Sequence, residues 1–545
     1  MAVLNFNRVD LEGLIGKTLT KREYSDVLPM MGFTLEGLDE ETVSFDITPD
    51  RPDMYSIEGF ARGVQGFLGV KKGLPEYEVK KSKYDVHVDK SVLGTRGCAA
   101  FAVVKGYKFT EETVAGFMQL QDKLTFTIGR NRKKAAMGTY HLGDINFPVK
   151  YTTVKPDYKF TPLLFNDEMT VKEVEEQHPK GQEYKHLAEN WKEYPAYIDA
   201  KGNTMAVLPY TNAQFGRIRE DTENMFIEVT GTAWKPVMEM MNVVTTALAD
   251  RGAEIYEVKA IYPDKKVVTT PDLTPQRMKL DLNYVNKLLD LNMKPGEVKA
   301  ALEKMRVGFD GKDAIVPAYR MDVMHPIDIV EDIAVGHGYD KFEPRLPEIG
   351  TIGKPNARNE LANTLRTLMV GLGFQEGVNF VLSNKEKEFT KAHLPETPVA
   401  EIKNPRTVEY TICRSSLLPG LLQNFSENAS SEMPQKLFEI GITVQLDSKF
   451  ETGAKNVWRI GGGILHSEAN YSEAKANVEA FLNNIGKKYS IRECEYGTFI
   501  PGRVVEVLVG NKVIGVFGEV SPDVLSHFGI EYPVTLFEFD VEGLR

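Results

Sequence analysis

Cysteine is scarce, with three residues in 545, Cys98, Cys413 and Cys494, far apart along the chain. No pair has the spacing of a disulfide framework or a zinc site, so a reducing compartment is expected. Long apolar runs are missing too. No stretch approaches the length of a membrane span, and the start MAVLNFNRVDLEGLIGK lacks the basic-then-apolar pattern of a signal peptide. A soluble cytoplasmic protein is the expectation. Positive charge is not in excess: 66 Lys and Arg against 77 Asp and Glu give a net charge of −11. That excludes a surface attractive to nucleic acid all over and leaves only local basic patches. GxxxxGK[ST], HExxH and GxSxG are all absent. The 45 glycines and 28 prolines are spread rather than massed, which excludes collagen-like and low-complexity chains.

What is present is enough chain for three or four domains. Turn formers and charge interrupt the periodic segments at 70–90, 262–275 and 343–357, which divides the chain into four parts. The first and third resemble each other as helix-strand-helix modules. Leu14, Ile15, Met31, Phe33, Ile57, Glu58 and Ala61 in one are matched by Leu288, Leu289, Met305, Phe309, Val330, Glu331 and Ala334 in the other. The second part mixes strand runs such as CAAFAVVKGY and MFIEVTG with a helix in which Val237, Met241, Val244 and Leu248 share a face and Gly252 supplies the stop. The fourth opens with a helix carrying Leu361, Leu365, Leu368 and Leu372 and ends in hairpins, one turning at Gly510-Asn511. A multi-domain α+β architecture with antiparallel sheets is predicted.

The sharpest local feature is YRMDVMHPIDIVEDIAVGHGYDKF. Pro326 marks a first helical turn, so Asp328, Glu331 and Asp332 fall on one face, with Asp322 upstream. Oxygen ligands without His or Cys suit Mg²⁺, although acids in a first helical turn also suit the macrodipole alone. The run Arg130, Arg132, Lys133, Lys134 could hold phosphates or be a solvated loop. RIGGGILHS, around Gly461–Gly463, lacks the context of a nucleotide fingerprint and reads as a crowded strand.

The strings TPDRPDMYSIEGFARG, FIEVTGTAWKPVMEMMNVV, IVEDIAVGHGYDKF, IKNPRTVEYTICRSSLLPGLLQNF and LFEIGITV, in this order along the chain, resemble the beta subunits of phenylalanyl-tRNA synthetases of the archaeal and eukaryotic-cytosolic type, and the resemblance covers essentially the whole chain. The resemblance implies an alpha2-beta2 tetramer that joins phenylalanine to tRNA(Phe) through an aminoacyl-adenylate. ATP and the synthetic site then belong to the alpha subunit, and no residue of this chain is catalytic for synthesis. It implies an N-terminal module at 1–85, a proofreading domain at 86–265, a Mg²⁺-binding module at 266–345 and a catalytically inactive class II synthetase-like domain at 346–545. The inactivity accords with Leu437-Phe438-Glu439, which has no arginine where an ATP-binding motif carries one. By the same resemblance Asp322, Asp328, Glu331 and Asp332 are the Mg²⁺ ligands, and Asn212, Glu228 and Thr230 line the pocket that removes mischarged tyrosine. Tyr140 and His141 stand where that pocket usually has a His-Asp or Tyr-Asp pair. The alternatives are a non-catalytic tRNA-binding scaffold and a free-standing deacylase.

Overall fold

Near-continuous runs of apolar and small residues along Cys98–Lys105, Asn224–Gly231 and Ala135–His141 make each of these segments a strand with two buried faces. A computed structural model describes residues 2–545, with the side chains of residues 2, 111 and 112 left aside. They fall into two units, 1–346 and 347–545.

In the first unit the three strands sit at one end of an eleven-stranded sheet that runs, through Glu254–Ile261 and Asp85–Val88, to Thr204–Val207 and Thr211–Asn212 at the other end. Ala100, Ala102, Val104, Ile227 and Val229 face the helix Trp234–Asp250, which is buried nearly all round and ends before Gly252 at φ 90°. The opposite face carries Phe101, Val103, Tyr140 and Phe226, closed over by Tyr151, Tyr197 and Met205 from the other half of the sheet. The sheet therefore curls until its two end strands meet: Tyr140 donates its hydroxyl to Asn212 Oδ1, and the His141 amide donates to the Gly216 carbonyl.

Two of the expected joints carry structure. Val79–Lys80 and Asp85–Val88 within 70–90, and Val267–Thr270 within 262–275, all pair with Glu254–Ile261. Short β-branched pieces such as KVVTT are hidden among charges and turn residues, but pairing to an existing strand is enough to order them. The stretch 343–356 has no regular structure.

The two modules share more than apolar spacing. Each has a three-stranded antiparallel sheet with the last strand in the middle: Ala2–Asn7, Thr42–Ile47 and Thr34–Leu38 in one, and Gln276–Lys279, Asp313–Val316 and Gly308–Phe309 in the other. The first helices begin after Asn7 and Asp281, 274 positions apart. The last helices begin after Ser56 and His325, 269 apart, because the second hairpin is shorter. That corrects the sequence pairing of Ile57, Glu58 and Ala61 with Val330, Glu331 and Ala334: Gly59 is the counterpart of Asp328, and Arg62 of Glu331.

The second unit is built on a seven-stranded sheet in which Gln435–Leu446, Ala454–Leu465 and Val534–Asp540 are central neighbours. Helices Ala357–Gly371 and Tyr471–Asn484 supply the core on one side, and Leu418–Glu427 and Pro522–Phe528 supply a second core. The turn at Gly510-Asn511 joins Val509 to Lys512 as expected, with Gly510 at φ 61°. The triple glycine is a crowded strand. A Cβ at Gly462 would lie 2.4 Å from the Phe537 ring, and one at Gly463 would lie 2.5 Å from Leu536.

Candidate functional site

Glu228 points away from the helix-covered face because Ile227 and Val229 take that side, and the curl of the sheet leaves it 1 % exposed. Tyr140, on the neighbouring strand, donates its hydroxyl towards Glu228 Oε1 at 3.5 Å and Asn212 Oδ1 at 3.4 Å, both long contacts. Gly138 lies opposite Glu228 in the ladder. A Cβ there would sit 2.6 Å from Glu228 Oε1, 2.7 Å from the Tyr140 oxygen and 3.2 Å from Asn212 Oδ1. Three polar side chains from three strands thus converge on a point kept open by the absence of a side chain. Burial pushes the Glu228 carboxyl up to about 8, against the opposing pull of Arg96 and the bond from Tyr140. At neutral pH it is mostly a neutral acid, able to donate as well as accept. Its Oε2 has no protein partner.

Asn212 and Thr139 also line a cavity of about 720 Å³ walled by Phe109, Phe117, Met118, Leu163 and Leu164. The wall is tied to the Asn212 strand by three bonds: the Leu163 amide to the Asn212 carbonyl, the Gln214 amide to the Thr161 carbonyl, and the Leu164 amide to Gln214 Oε1. The arrangement is a largely apolar pocket with a few fixed polar groups in its lining, the general form of a small-ligand site.

Of the sequence-predicted pocket residues, Asn212 and Glu228 come together. Thr230 lies two residues further along the same strand face, its hydroxyl buried without a partner and its carbonyl taken by the Arg96 guanidinium. Tyr140 belongs with Glu228, whereas His141 is outside, its Nδ1 3.0 Å from Thr222 Oγ1. Gly138 carried no signal in one sequence, since its role exists only across the ladder. The basic run is partly committed: Arg132 donates to the carbonyls of Pro209 and Tyr210 and stacks on Tyr184, leaving Arg130 and Lys133 exposed.

The four acids occupy three different settings. Arg320, fully buried, donates to both oxygens of Asp322 (2.9 and 2.7 Å) and to Asp332 (3.1 Å). Burial raises the Asp322 carboxyl but Arg320 outweighs it, so Asp322 is held low, while for Asp332 burial wins and the carboxyl is raised. Asp328 turns back to accept the Met324 and His325 amides as a capping box. Glu331 is exposed and raised by partial burial and by Asp332, Asp50 and Asp328. Among the described residues no three His, Cys, Asp or Glu side chains are gathered as metal ligands. Asp332 Oδ2 has no well-aligned hydrogen bond but lies 2.9 Å from the Arg320 guanidinium, so the oxygen donors that suit a hard cation are in part already answered by that arginine, and the remaining repulsion is felt at Glu331. Sequence reasoning missed Arg320, although the signal was there. Arg51-Pro52-Asp53 and Arg320-Met321-Asp322 are the same Arg-x-Asp pair in both modules, and Arg51 grips Asp53 in the same bidentate way.

In the second unit Glu439 is buried and paired with Arg414 at 2.7 Å, and Asn379 donates to it. Glu538 is buried and held by Arg459, Ser416 and the Leu417 amide.

Residues 278–339 match the family model for the tRNA synthetase B5 domain, and 343–541 match that for the phenylalanyl tRNA synthetase beta chain CLM domain. The chain is 38% identical to the phenylalanine–tRNA ligase beta subunit of Pyrococcus abyssi over 100% of both proteins. It is also 38% identical to that of Archaeoglobus fulgidus, over 100% of this chain and 98% of that one. Among solved structures, an N-terminal fragment of the phenylalanyl-tRNA synthetase beta subunit from Pyrococcus horikoshii is 37% identical and covers 62% of this chain and 99% of its own, with a TM-score of 0.60. Matched from end to end by relatives of one kind, the chain belongs to the family of phenylalanine–tRNA ligase beta subunits.

Proposed function

We propose that this chain works as the beta subunit of a phenylalanine–tRNA ligase, joined to an alpha subunit as alpha2-beta2, and that its own chemistry is removal of tyrosine wrongly attached to tRNA(Phe). Synthesis, with ATP and the aminoacyl-adenylate, then lies in the alpha subunit. The domains follow the family plan: an N-terminal module at 1–85, proofreading at 86–265, a Mg²⁺-binding module at 266–345 and a non-catalytic class II-like domain at 346–545.

The observation that carries the proofreading reading is the convergence of Glu228, Asn212 and Tyr140 on Gly138 beside the apolar cavity. A pocket built for phenylalanine rejects tyrosine poorly, because one added hydroxyl is a small penalty, so a second pocket has to prefer the hydroxyl. A neutral Glu228 can donate to a phenolic oxygen while Asn212 or Tyr140 completes its bonding. Phenylalanine would leave those groups buried and unsatisfied. Hydrolysis breaks the ester between the tyrosyl carbonyl and the ribose oxygen, and water supplies the elements of the acid and the freed hydroxyl. Thr230, two residues further along the same strand face, lies beyond these three contacts, with its carbonyl held by Arg96.

Magnesium, if carried, would be held by Asp322, Asp328, Glu331 and Asp332, and would neutralise a crowd of carboxylates that Arg320 balances only in part. A free-standing deacylase is disfavoured by the end-to-end match to ligase subunits.

The test is hydrolysis of tyrosyl-tRNA(Phe) by the assembled enzyme. Glu228→Ala and Asn212→Ala are expected to slow it about 10- to 100-fold, the worth of a buried hydrogen bond to a charged or strongly polar group, with phenylalanine attachment unchanged. Unchanged hydrolysis in both variants would remove these residues from the pocket.

A further inference from the structure

The rim of the 720 Å³ cavity carries four charged side chains, Arg217, Arg219, Glu220 and Asp221. Arg219 is spoken for, bonded to Asp144 at 2.7 Å and Asp221 at 3.3 Å, which pins it to the turn after the Tyr140 strand. Arg217 differs. Among the described residues it makes no ion pair or side-chain hydrogen bond, although its backbone is fixed by Gly216, whose carbonyl accepts the His141 amide. It is an exposed, uncommitted guanidinium on an anchored segment that lines the same cavity as Asn212 and the apolar walls.

We infer that Arg217 binds the phosphodiester on the 5′ side of the terminal adenosine of the tRNA. The inference rests on the proofreading reading above. With the amino-acid side chain at the Asn212 end, the adenosine has only the apolar walls to lie against, among them Phe117, Met118 and Leu164. Its 5′ phosphate must then leave through the rim. Guanidinium is the group best matched to a phosphate there, offering parallel donors and a weakly hydrated charge. Glu220, which lines the same cavity, places a like charge against a bound phosphate and so weakens that contact.

The experiment is steady-state hydrolysis by the assembled enzyme of two substrates, tyrosyl-tRNA(Phe) and the phosphate-free ester 3′-O-tyrosyl-adenosine. With tRNA, Arg217→Ala is expected to raise KM about five- to tenfold, as loss of one charge-assisted contact does, with kcat within about twofold. The salt dependence of log KM should fall by about one unit, as one phosphate contact is lost. Arg217→Lys should recover most of the loss, and Glu220→Gln should lower KM. With the phosphate-free ester all three variants should match the wild type. An unchanged KM for tRNA in Arg217→Ala, or an equal loss on the phosphate-free ester, would overturn the inference while leaving proofreading standing. Failure of the wild-type assembly to hydrolyse either substrate would overturn the proofreading reading and this inference with it.

Discussion

Glu228 and the pair Glu439 and Glu538 are equally buried carboxyl groups on strands paired along both edges, yet they are neutralised in opposite ways. Glu439 and Glu538 each have an arginine at 2.7 Å, with amides and hydroxyls completing their shells. Glu228 has no arginine in contact, one long bond from Tyr140 and an oxygen with no partner, and it retains its proton instead. A buried carboxylate whose charge is answered inside the protein is a structural clamp and offers nothing to a ligand. One answered by a proton keeps a donor and an acceptor free for a visitor. The difference separates carboxyl groups that hold their sheet together from one whose hydrogen-bonding capacity is left unspent.

The comparison is broken most directly on the clamped side. Arg414→Ala strands Glu439 and should lower the unfolding free energy by about 3–5 kcal/mol in urea titration of the assembly. A loss below about 1 kcal/mol would mean that the clamp is not one. On the protonated side, Glu228→Gln preserves shape and neutrality and should change stability little below pH 4.5, where the unfolded chain keeps the proton as well. Because the folded-state value is raised from 4.5 to about 8, the folded form holds a proton that the unfolded form has released across that window. This group's contribution is therefore fully present below pH 4.5 and is lost as pH rises towards 8, at about 1.4 kcal/mol per pH unit. The wild type minus Glu228→Gln difference should show that slope, and a flat difference would mean that Glu228 is ionised. The smallest effect is expected at Thr230, whose buried hydroxyl has no partner. Thr230→Val should gain about 1 kcal/mol and leave tyrosyl-tRNA hydrolysis unaltered, whereas a drop in hydrolysis would return Thr230 to the ligand's own contacts.

Much of this was legible from local pattern. The helix Trp234–Asp250, the turn at Gly510-Asn511 and the alternation of Glu228 and Thr230 against Ile227 and Val229 follow from period and turn chemistry, and each holds. What the sequence hid is what the sheet assembles. Gly138 matters because it lies across the ladder from Glu228, and Tyr140 because curling brings it to Asn212, 72 residues away. Strands of two to four residues such as Val79–Lys80 and Val267–Thr270 are ordered by their partner and carry little period of their own. The acids near Pro326 were placed correctly on a helix, but helical spacing alone could not reveal that Arg320 takes two of them and the helix cap a third.

The turn at Arg130, Asn131 and Arg132 puts three successive non-glycine residues at φ 47°, 53° and 63°. Each side chain there carries a steric cost that glycine would not, on the order of 1 kcal/mol. Mutational drift at this surface is therefore channelled. Glycine at 130 or 131 would ease the backbone, β-branched residues are shut out, and at 132 any replacement forfeits the bonds to Pro209 and Tyr210. Lys133, next in the chain, lies under neither restriction, so over evolutionary time the charge of this loop can be retuned while its shape is inherited almost unchanged.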